Sequence, residues 1–304
     1  MAALPQERRI DIASGERQKR LRTVDKLLEA ASAMGAERGD AWIGVGGGVT
    51  TDMVGAAAAL YVRGVNFVAV TTTWLGMTDA AIGGKVAVDL SGAKNAAGAF
   101  WPPAAIVGDV ATQRTLPRSR RLDGMAESLK SGVIGDPALW TLVETRGKAA
   151  LRQDEAARYA IIDRSVQLKL DVVDRDPFEQ GERRTLNLGH TLGHALEIES
   201  GYRLPHGKAV VLGLRAVAHI AAARGAEPGL AERIDDVCSG LGYELTRAFD
   251  TAAVKRALTT DKKRIQGRQR WILPMAIGTV VDVDDVTDVE LDAAIAHIST
   301  ETAR

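Results

Sequence analysis

Residues 41–52, with the sequence AWIGVGGGVTTD, join a short apolar segment to three consecutive glycines and the start of an alanine-rich segment. Ala41 to Val45 has the length and apolar character of a buried strand. Asp52 to Leu60 predicts a helix, and Phe67 to Thr71 predicts a second strand. Strand, helix and strand at this spacing are typical of a parallel sheet with right-handed crossovers.

Outside this stretch, the hydrophobic periodicity divides the chain into two parts. Gly15 to Met34 predicts a helix, and Ala105 to Val107 predicts a third short strand. Past Leu116 the periodicity is helical almost throughout, with strand signals only at 270–273 and 279–283. The helices predicted there are Ser119–Ile134, Pro137–Lys148, Glu155–Asp174, Thr185–Ser200, Gly207–Arg224, Gly229–Leu241 and Thr251–Leu258. We therefore predict an α/β plus α protein, with a Rossmann-like parallel-sheet domain at residues 1–116 and a mainly α-helical domain at residues 117–304.

The composition narrows the class of protein. Lys plus Arg and Asp plus Glu number 39 each, so a general electrostatic affinity for nucleic acid or an acidic membrane is not expected. Cys238 is the only cysteine, which excludes an internal disulfide and fits a reducing compartment. The N-terminus has no secretory pattern, and the apolar runs are too short to span a bilayer. A cytoplasmic protein that binds neither nucleic acid nor membrane is expected.

Gly46-Gly47-Gly48 is a candidate dinucleotide-binding turn. Consecutive glycines let the main chain approach a pyrophosphate, and the helix that follows offers free N–H groups at its N-terminus. The spacing differs from GxGxxG, so the turn alone is equally compatible with a tight connection that binds nothing. Thr71-Thr72-Thr73 ends the next strand, where ligands collect in open parallel sheets. Asp52 could cap the helix or orient a ligand, and capping is the preferred interpretation.

A loop-like stretch after the threonines carries a candidate phosphate cradle. It contains Asp79, Lys85, Lys94 and Asn95 among repeated glycines. Either lysine alone would be explained by an ordinary solvated surface, so only the grouping favours a ligand.

Three of the five histidines lie within 17 residues of one another: His190, His194 and His206. His190 and His194 are four apart on a predicted helix, so they share one face, which suits joint metal binding or one ligand plus one substrate contact. His206 follows a proline and lies in a predicted loop. Glu127 is a candidate third ligand, although an ion pair with Lys130 one turn later would also explain it.

These motifs resemble those of the 3-dehydroquinate synthases, a family of sugar-phosphate cyclases. The shared segments, in order, are Gly46–Asp52, Tyr61–Gly64, Thr72-Thr73, Asp79, Gly83–Lys85, Lys94-Asn95, Ala126-Glu127, Lys130, Arg164-Ser165, Lys169, Glu179-x-Gly181-x-Arg183, Leu186–Thr191, His194, His206-Gly207 and Asp261–Lys263. The resemblance covers roughly residues 15–278. It implies an N-terminal NAD-binding α/β domain, a C-terminal helical metal domain, and an active site between them.

The resemblance also implies roles for individual residues. Glu127, His190 and His206 would bind one divalent metal, Zn or Co, and His194 would lie near the substrate. The phosphate of the substrate would be surrounded by Arg63, Lys85, Asn95, Asn187, His194 and Lys262, with Arg63 coming from the partner of a homodimer. Lys169 and Arg183 would hold the substrate carboxylate. Asp79 and Lys130 would line the reacting carbons. The residues implied to face NAD are Glu16, Lys19, Gly47, Gly48, Val49, Asp52, Thr72, Thr73, Asp79, Lys85 and Lys94.

The activity implied by the resemblance is conversion of a small phosphorylated sugar acid, 3-deoxy-D-arabino-heptulosonate 7-phosphate, to 3-dehydroquinate and phosphate in the shikimate pathway of aromatic amino-acid biosynthesis. The steps are transient oxidation by NAD, elimination of phosphate, re-reduction, and an aldol closure after ring opening. The metal polarises the hydroxyl that is oxidised. The enzyme is therefore expected to be a carbon–oxygen lyase.

Several residues depart from the family pattern. Thr51 replaces a glycine before Asp52, Asp89 replaces an asparagine, Ser131 replaces a frequent tyrosine, and Lys208 replaces a glutamate. Family members also carry a strand–helix–strand stretch ahead of the segment that begins near Glu16, so we expect a truncated NAD domain with an exposed sheet edge.

Three other hypotheses about the function are compatible with the sequence. One is a metal-dependent alcohol or glycerol dehydrogenase, which needs no phosphate anchors. Another is a sugar-phosphate cyclase of secondary metabolism, such as an amino-dehydroquinate synthase. The third is a non-catalytic remnant that lacks part of the cofactor site.

Overall fold

The computed structural model describes residues 8–91, 93–152, 154–260, 264–265 and 268–300. The chain divides into two compact units, Met1–Leu116 and Pro117–Arg304. The first unit contains a parallel sheet, and the second is mainly helical. The predicted fold class, α/β followed by α, is therefore confirmed.

The first unit combines one parallel sheet with one hairpin. Its elements are α1 (Leu21–Ala33), β1 (Ala41–Gly46), α2 (Gly48–Leu60), β2 (Asn66–Thr71), β3 (Lys85–Leu90), β4 (Ala93–Phe100) and β5 (Ala105–Gly108). The parallel sheet has the order β1-β2-β5, with Ala41 opposite Asn66. The antiparallel hairpin pairs β3 with β4, with Lys85 opposite Phe100. The predicted loop around Lys85 is therefore wrong, because this alanine- and glycine-rich stretch forms two paired strands.

Helix α2 lies at the centre of the first unit because it is apolar on nearly every side. Met53, Ala57 and Ala58 have no exposed surface. The helix packs against α1, β1, β2 and β3. From the sheet, Phe67 and Ala69 contribute to the same core. The core therefore fixes the start of α2 against the ends of β1 and β2.

The other face of the sheet is apolar and exposed in the described chain. Ile43 is 45% exposed, Val45 59% and Val107 46%, and the strand register places all three on this face. Parallel sheets are usually covered on both faces. Here α2 covers one face, and these apolar side chains of the other face are accessible to solvent.

The second unit is built from eight helices and two small hairpins among the residues described. They are α3 (Arg118–Gly135), α4 (Pro137–Arg152), α5 (Glu155–Arg175), α6 (His190–Glu199), α7 (His206–Ala223), α8 (Leu230–Leu241), α9 (Thr251–Thr260), β6 (Arg264–Ile265), β7 (Arg268–Gln269), β8 (Trp271–Ala276), β9 (Thr279–Val283) and α10 (Asp288–Ile298). Helix α7 contacts α3, α6, α8 and α10, so it is central to this unit.

The single helix predicted from Thr185 to Ser200 is wrong. The chain forms a 3-10 helix at Glu182–Asn187 and then α6, which begins at His190. Between them Gly189 has φ 74°, a left-handed conformation that glycine adopts without the steric cost of a side chain. The break makes His190 the first residue of its helix.

Helix α10 was not predicted, although its start carries a capping box. Thr287 Oγ1 accepts from Glu290 N at 3.3 Å, and Glu290 Oε2 accepts from Thr287 N at 2.8 Å. Arg224 at the end of α7 donates to both oxygens of Glu290, at 2.6 and 2.8 Å. These bonds attach the start of α10 to the end of α7.

Cys238 is fully buried in α8, as predicted for a structural cysteine. Burial raises the pKa of its thiol to about 12. Within the part of the chain that the structure describes, no helix is both long and apolar enough to cross a membrane.

Candidate functional site

Three helices of the second unit bring one carboxylate and two imidazoles together. Glu127 lies within α3, His190 begins α6, and His206 begins α7. Glu127 Oε1 is 3.4 Å from His190 Nε2 and 3.2 Å from His206 Nε2. One donor atom from each residue lies within 4.8 Å of the other two, so the three side chains surround a common point.

Glycines set the spacing between the two histidine-bearing helices. A Cβ on Gly213 of α7 would overlap the carbonyl oxygen of Gly189, and one on Gly189 would lie 2.8 Å from Val210 O. A Cβ on Gly193 of α6 would lie 3.0 Å from Ala209 O. Helices α6 and α7 therefore touch through main-chain atoms, which brings their first residues within reach of one ion.

The charges around Glu127 favour its ionised form. Burial by itself would raise the pKa of this carboxyl, but the Lys130 ammonium and the imidazoles of His190 and His206 outweigh it, and the pKa lies well below its usual value. Lys130 forms an ion pair with Glu127 Oε2 and donates to Leu186 O at 2.7 Å. The ion pair that was considered as an alternative for Glu127 is thus present beside the histidine contacts.

The two histidines respond oppositely to this environment. Burial and the nearby Lys130 ammonium lower the pKa of His190. Burial would also lower the pKa of His206, but the carboxylates of Glu127 and Glu197 outweigh it and raise the pKa to about 10. The charge of the buried Glu127 carboxylate is therefore balanced by the Lys130 ammonium and the His206 imidazolium.

This donor set fits a divalent transition metal. A carboxylate with two imidazoles is a common protein ligand set of catalytic zinc, and it leaves a coordination position open. Glu127 is 1% exposed and His190 8%, so the donors are shielded from bulk water. The residues present thus match the group that the sequence resemblance implied.

His194 lies beside the cluster. Its ring centroid is 5.3 Å from that of His190 and 6.3 Å from that of His206. His194 and His206 also form a second group of possible donors with Glu197. The four-residue spacing in α6 therefore places His194 at the edge of the cluster, as a second polar group facing it.

Other candidate residues of the second unit are held by backbone and side-chain bonds. Asn187 Nδ2 donates to Glu179 Oε1 at 2.8 Å. Arg183 is 2% exposed and donates to Pro177 O at 2.5 Å, and Lys169 is 8% exposed. Buried cations of this kind need partners of opposite charge or polarity. Lys262 lies outside the described residues.

In the first unit, the glycine turn is packed tightly against the end of the sheet. Thr72 N donates to Gly46 O at 2.8 Å. A Cβ on Gly47 would lie 2.9 Å from Thr73 Cγ2, and one on Gly48 would lie 2.6 Å from Ala80 Cβ. Glycine is therefore required here by the packing of the protein itself, whether or not a ligand binds.

Helix α2 begins at Gly48, earlier than predicted, so its first amides lie in the glycine turn. The first helical bond runs from Thr50 N to Gly47 O at 2.9 Å. The amides of Gly48 and Val49 precede that bond, in the position where helix N-termini bind anions. The residues fit a pyrophosphate at this turn.

Asp52 does not cap the helix, so that interpretation is wrong. It lies inside α2, and its Oδ2 is 2.5 Å from Lys19 Nζ. Lys19 also donates to Asn95 Oδ1 at 2.5 Å. Burial raises the pKa of Asp52 to about 6, the Lys19 ammonium opposes the shift, and the Glu16 and Asp79 carboxylates add to it. Lys19 and Asp52, two of the residues predicted to face NAD, thus form a buried ion pair.

The remaining candidates of the first unit lie on turns and strand ends. Lys94 Nζ is 3.6 Å from Glu16 Oε1. Asp79 lies in a π-helical turn at Gly76–Ala80, and Lys85 begins β3. Arg63 has φ 68° in a turn where the preceding Val62 also has positive φ, which is rare for a β-branched residue. Strain of this kind is found at functional sites.

Two residues with close contacts to the candidates had no predicted role. Glu197 faces His206 and His194, at 3.6 Å and 4.0 Å. Glu179 accepts from Asn187. Glu197 is three residues after His194, so helical spacing alone indicated a shared face. Glu179 was noticed only as part of a motif.

The four departures from the family pattern have local partners or burial. Thr51 Oγ1 donates to Gly48 O at 3.1 Å inside the first turn of α2. Asp89 Oδ1 accepts from Asn95 N at 2.8 Å. Lys208 Nζ lies 3.3 Å from Glu244 Oε2, and Ser131 is 5% exposed. The charge reversal at position 208 is thus balanced by a carboxylate outside the histidine cluster.

The family models and the curated relatives that match this chain point to the same family. Models of the N-terminal and C-terminal parts of 3-dehydroquinate synthase match residues 9–123 and 124–264. The 3-dehydroquinate synthase of Xanthomonas campestris pv. campestris (strain 8004) is 40% identical over 292 residues, covering 92% of this chain and 79% of that protein.

Solved structures of sugar-phosphate cyclases are also similar. The 2-epi-5-epi-valiolone synthase of Streptomyces hygroscopicus subsp. jinggangensis 5008, solved with NAD+ and Zn2+, is 32% identical with a TM-score of 0.89, covering 94% of this chain and 81% of that one. A 2-deoxy-scyllo-inosose synthase, complexed with carbaglucose-6-phosphate, NAD+ and Co2+, is 25% identical with a TM-score of 0.83, covering 93% and 80%. By the two matching models and the identity to a curated member, the chain belongs to the 3-dehydroquinate synthase family.

Proposed function

We propose that this chain is a 3-dehydroquinate synthase, which converts 3-deoxy-D-arabino-heptulosonate 7-phosphate to 3-dehydroquinate and phosphate with NAD and one divalent metal. The observation that carries the proposal is the convergence of Glu127, His190 and His206. Identity of 40% over most of a curated 3-dehydroquinate synthase supports the same activity.

The two cofactors supply the redox step: bound NAD takes up and returns a hydride, while a bound zinc or cobalt ion polarises the hydroxyl that is oxidised. In this chain, Glu127, His190 and His206 would hold the metal. The amides of Gly48 and Val49 would face the pyrophosphate of NAD. Further NAD contacts are proposed for Glu16, Lys19, Gly47, Asp52, Thr72, Thr73, Asp79, Lys85 and Lys94.

The cationic and amide side chains would bind the two anionic groups of the substrate. Lys169 and Arg183 suit the carboxylate, because a guanidinium and an ammonium bind it with charge-assisted hydrogen bonds. The proposed phosphate contacts are Arg63, Lys85, Asn95, Asn187, His194 and Lys262. These positive and polar groups stabilise the charge that builds up on the departing phosphate.

Lys130 and Glu179 would orient other groups of this site. Lys130 is held between Glu127 and Leu186 O, so its ammonium has a fixed position next to the proposed metal. Glu179 accepts from Asn187 Nδ2 and so fixes the direction of that amide. A fixed arrangement lowers the entropy that must be lost when the substrate reacts.

A second candidate is a cyclase of secondary metabolism, which the TM-score of 0.89 to the valiolone synthase favours. The substrate carboxylate separates the two candidates. A 3-dehydroquinate synthase requires an acidic substrate, so Lys169→Met and Arg183→Met would raise KM for it. In a cyclase whose sugar-phosphate substrate has no carboxylate, these two cations would bind no such group.

The test is an assay of the purified protein with NAD, zinc or cobalt, and the heptulosonate phosphate. We expect equal release of phosphate and 3-dehydroquinate, abolished by a chelator and restored by the metal. His190→Ala is expected to lose both bound metal and turnover, whereas His219→Ala, whose ring stacks on His297 outside the cluster, is expected to keep them. Absence of phosphate release at saturating NAD and metal would refute the proposal.

We further propose a homodimer, in which Arg63 of one protomer serves the phosphate site of the other. Light scattering coupled to gel filtration is expected to give twice the mass of the chain. Mixing Arg63→Ala with an inactive His190→Ala chain is expected to restore part of the activity, because one site of each mixed dimer is then intact. A monomeric active protein would contradict this.

A further inference from the structure

Glu197 lies on the far side of the His206 ring from the proposed metal centre. Glu197 Oε1 is 3.6 Å from His206 Nδ1, whereas Glu127 Oε1 is 3.2 Å from His206 Nε2. Glu197 is 3% exposed, in the last turns of α6. Its carboxylate is therefore removed from water and faces the nitrogen that points away from Glu127.

His190 has the same arrangement with a different acceptor. Its Nε2 is 3.4 Å from Glu127 Oε1, and its Nδ1 lies 3.1 Å from Leu188 O. Both rings thus turn Nε2 toward Glu127 and Nδ1 toward an oxygen acceptor. For His190 the acceptor is a backbone carbonyl, and for His206 it is the Glu197 side chain.

An imidazole binds a metal through one nitrogen only when that nitrogen has a free lone pair, so the proton must reside on the other nitrogen. An acceptor at Nδ1 fixes this tautomer, orients the ring and raises the basicity of Nε2. A carboxylate does so more strongly than a carbonyl because it carries a charge.

We infer that Glu197 is the positioning residue of His206: when the metal is bound, its carboxylate accepts from Nδ1–H, so that Nε2 is directed at the metal beside Glu127. The inference rests on the proposed metal centre and adds a residue to it. The second oxygen of Glu197 lies 4.0 Å from His194 Nε2, so the same carboxylate also faces the third histidine.

A second cation between His194, Glu197 and His206 is the competing arrangement, since donor atoms of these residues also lie within 4.8 Å of one another. In that case His206 Nδ1 would be a ligand and would carry no proton. The two arrangements therefore differ in metal stoichiometry and in the tautomer of His206.

The test measures zinc affinity by competition with a chromogenic chelator, independently of turnover. We expect one equivalent per wild-type chain, and about 10- to 100-fold weaker binding in Glu197→Gln, the usual effect of losing such a partner. The matched control is Glu199→Gln, two residues later in α6, whose carboxylate accepts from Asp250 N. Its affinity is expected to stay within about twofold of wild type.

A double-mutant cycle tests whether Glu197 acts through His206. In a His206→Ala background, Glu197→Gln is expected to cause no further loss of affinity. Equal losses with and without His206 would overturn the inference, as would wild-type affinity in Glu197→Gln. Two equivalents of zinc in the wild type would also overturn it and favour the second cation.

Nitrogen NMR of the wild-type zinc protein provides a test that needs no variant of Glu197. The chain has five histidines, so their ring signals can be assigned by substitution. We expect His206 with a protonated Nδ1 and a metal-bound Nε2; a metal-bound Nδ1 would overturn the inference. If the wild-type protein bound no zinc, both this inference and the proposed function would fail. If the wild-type protein bound zinc and Glu197→Gln bound it with the same affinity, only the role of Glu197 would be refuted.

Discussion

Replacing Glu127 with glutamine tests the proposed metal centre by its effect on stability as well as on metal binding. Glu127 is 1% exposed, and its partner Lys130 is 2% exposed. Removing one member of a buried ion pair typically costs about 3–5 kcal/mol, because the other charge stays buried without compensation. The glutamine keeps the shape and one acceptor oxygen, so we expect about 3 kcal/mol, or roughly two powers of ten in the unfolding equilibrium.

The assay is urea unfolding of chelator-treated protein, followed by circular dichroism and tryptophan fluorescence. The matched control is Glu144→Gln, since Glu144 pairs with Arg233 at 2.8 Å on the surface, where the two side chains are 31% and 45% exposed. Such a pair contributes about 0–1 kcal/mol. We expect the urea midpoint to fall clearly further for Glu127→Gln than for Glu144→Gln.

Zinc binding by the same variant completes the test. Loss of one of three ligands is expected to weaken zinc binding by more than about a hundredfold, which exceeds the loss expected from removing a partner of a ligand. A Glu127→Gln protein that unfolds with the control and still binds one equivalent of zinc at wild-type affinity would refute the reasoning.

Three other predictions concern separate parts of the chain. Gly47→Ala places a methyl group 2.9 Å from Thr73 Cγ2, so calorimetry should show NAD binding weakened by about tenfold or more. The control is Gly39→Ala, whose methyl group meets no atom within 4 Å and which should bind NAD with wild-type affinity. Equal NAD affinities of the two variants would contradict this prediction. Cys238, with its pKa raised to about 12, should escape iodoacetamide at pH 8 until the chain is unfolded in urea, and rapid native labelling seen by mass spectrometry would be the contrary result. Hydrogen bonds from its arginine partner and the capping box lower the pKa of Glu290 to about 2, so its contribution to stability is present above pH 4.5 and is lost as the pH falls toward 2. The difference in melting temperature between wild type and Glu290→Gln should therefore become smaller as the pH falls from 4.5 toward 2. A difference that stays constant over this pH range would contradict the prediction.

The parallel sheet could be predicted from sequence because its strands are short apolar runs bounded by glycine or polar residues. Ala41–Gly46 and Asn66–Thr71 are examples. The hairpin formed by Lys85–Leu90 and Ala93–Phe100 could not, since β4 consists largely of alanine and glycine, which have low strand propensity. Its strands depend on pairing and on contact with α2, which local sequence does not encode.

The candidate site was predictable to the level of residue types and helical spacing. The four-residue interval of His190 and His194 indicated one face of a helix, and both residues do lie in α6. The position of His206 was not predictable, because periodicity does not show that a helix begins at this histidine, directly after Pro205. Glu197 was overlooked because acidic residues in helices are usually solvated, whereas tertiary packing buries this one.

The main-chain contact between α6 and α7 has a consequence for how sequence changes reach the histidine cluster. Metal ligands must hold their distances to within about 0.2 Å, a tolerance much smaller than the width of a methyl group. Any side chain at Gly213 would overlap the Gly189 carbonyl and force the two backbones apart. The imidazole spacing is thus vulnerable at a position that contributes no donor atom, so screens confined to polar residues would miss one of its determinants.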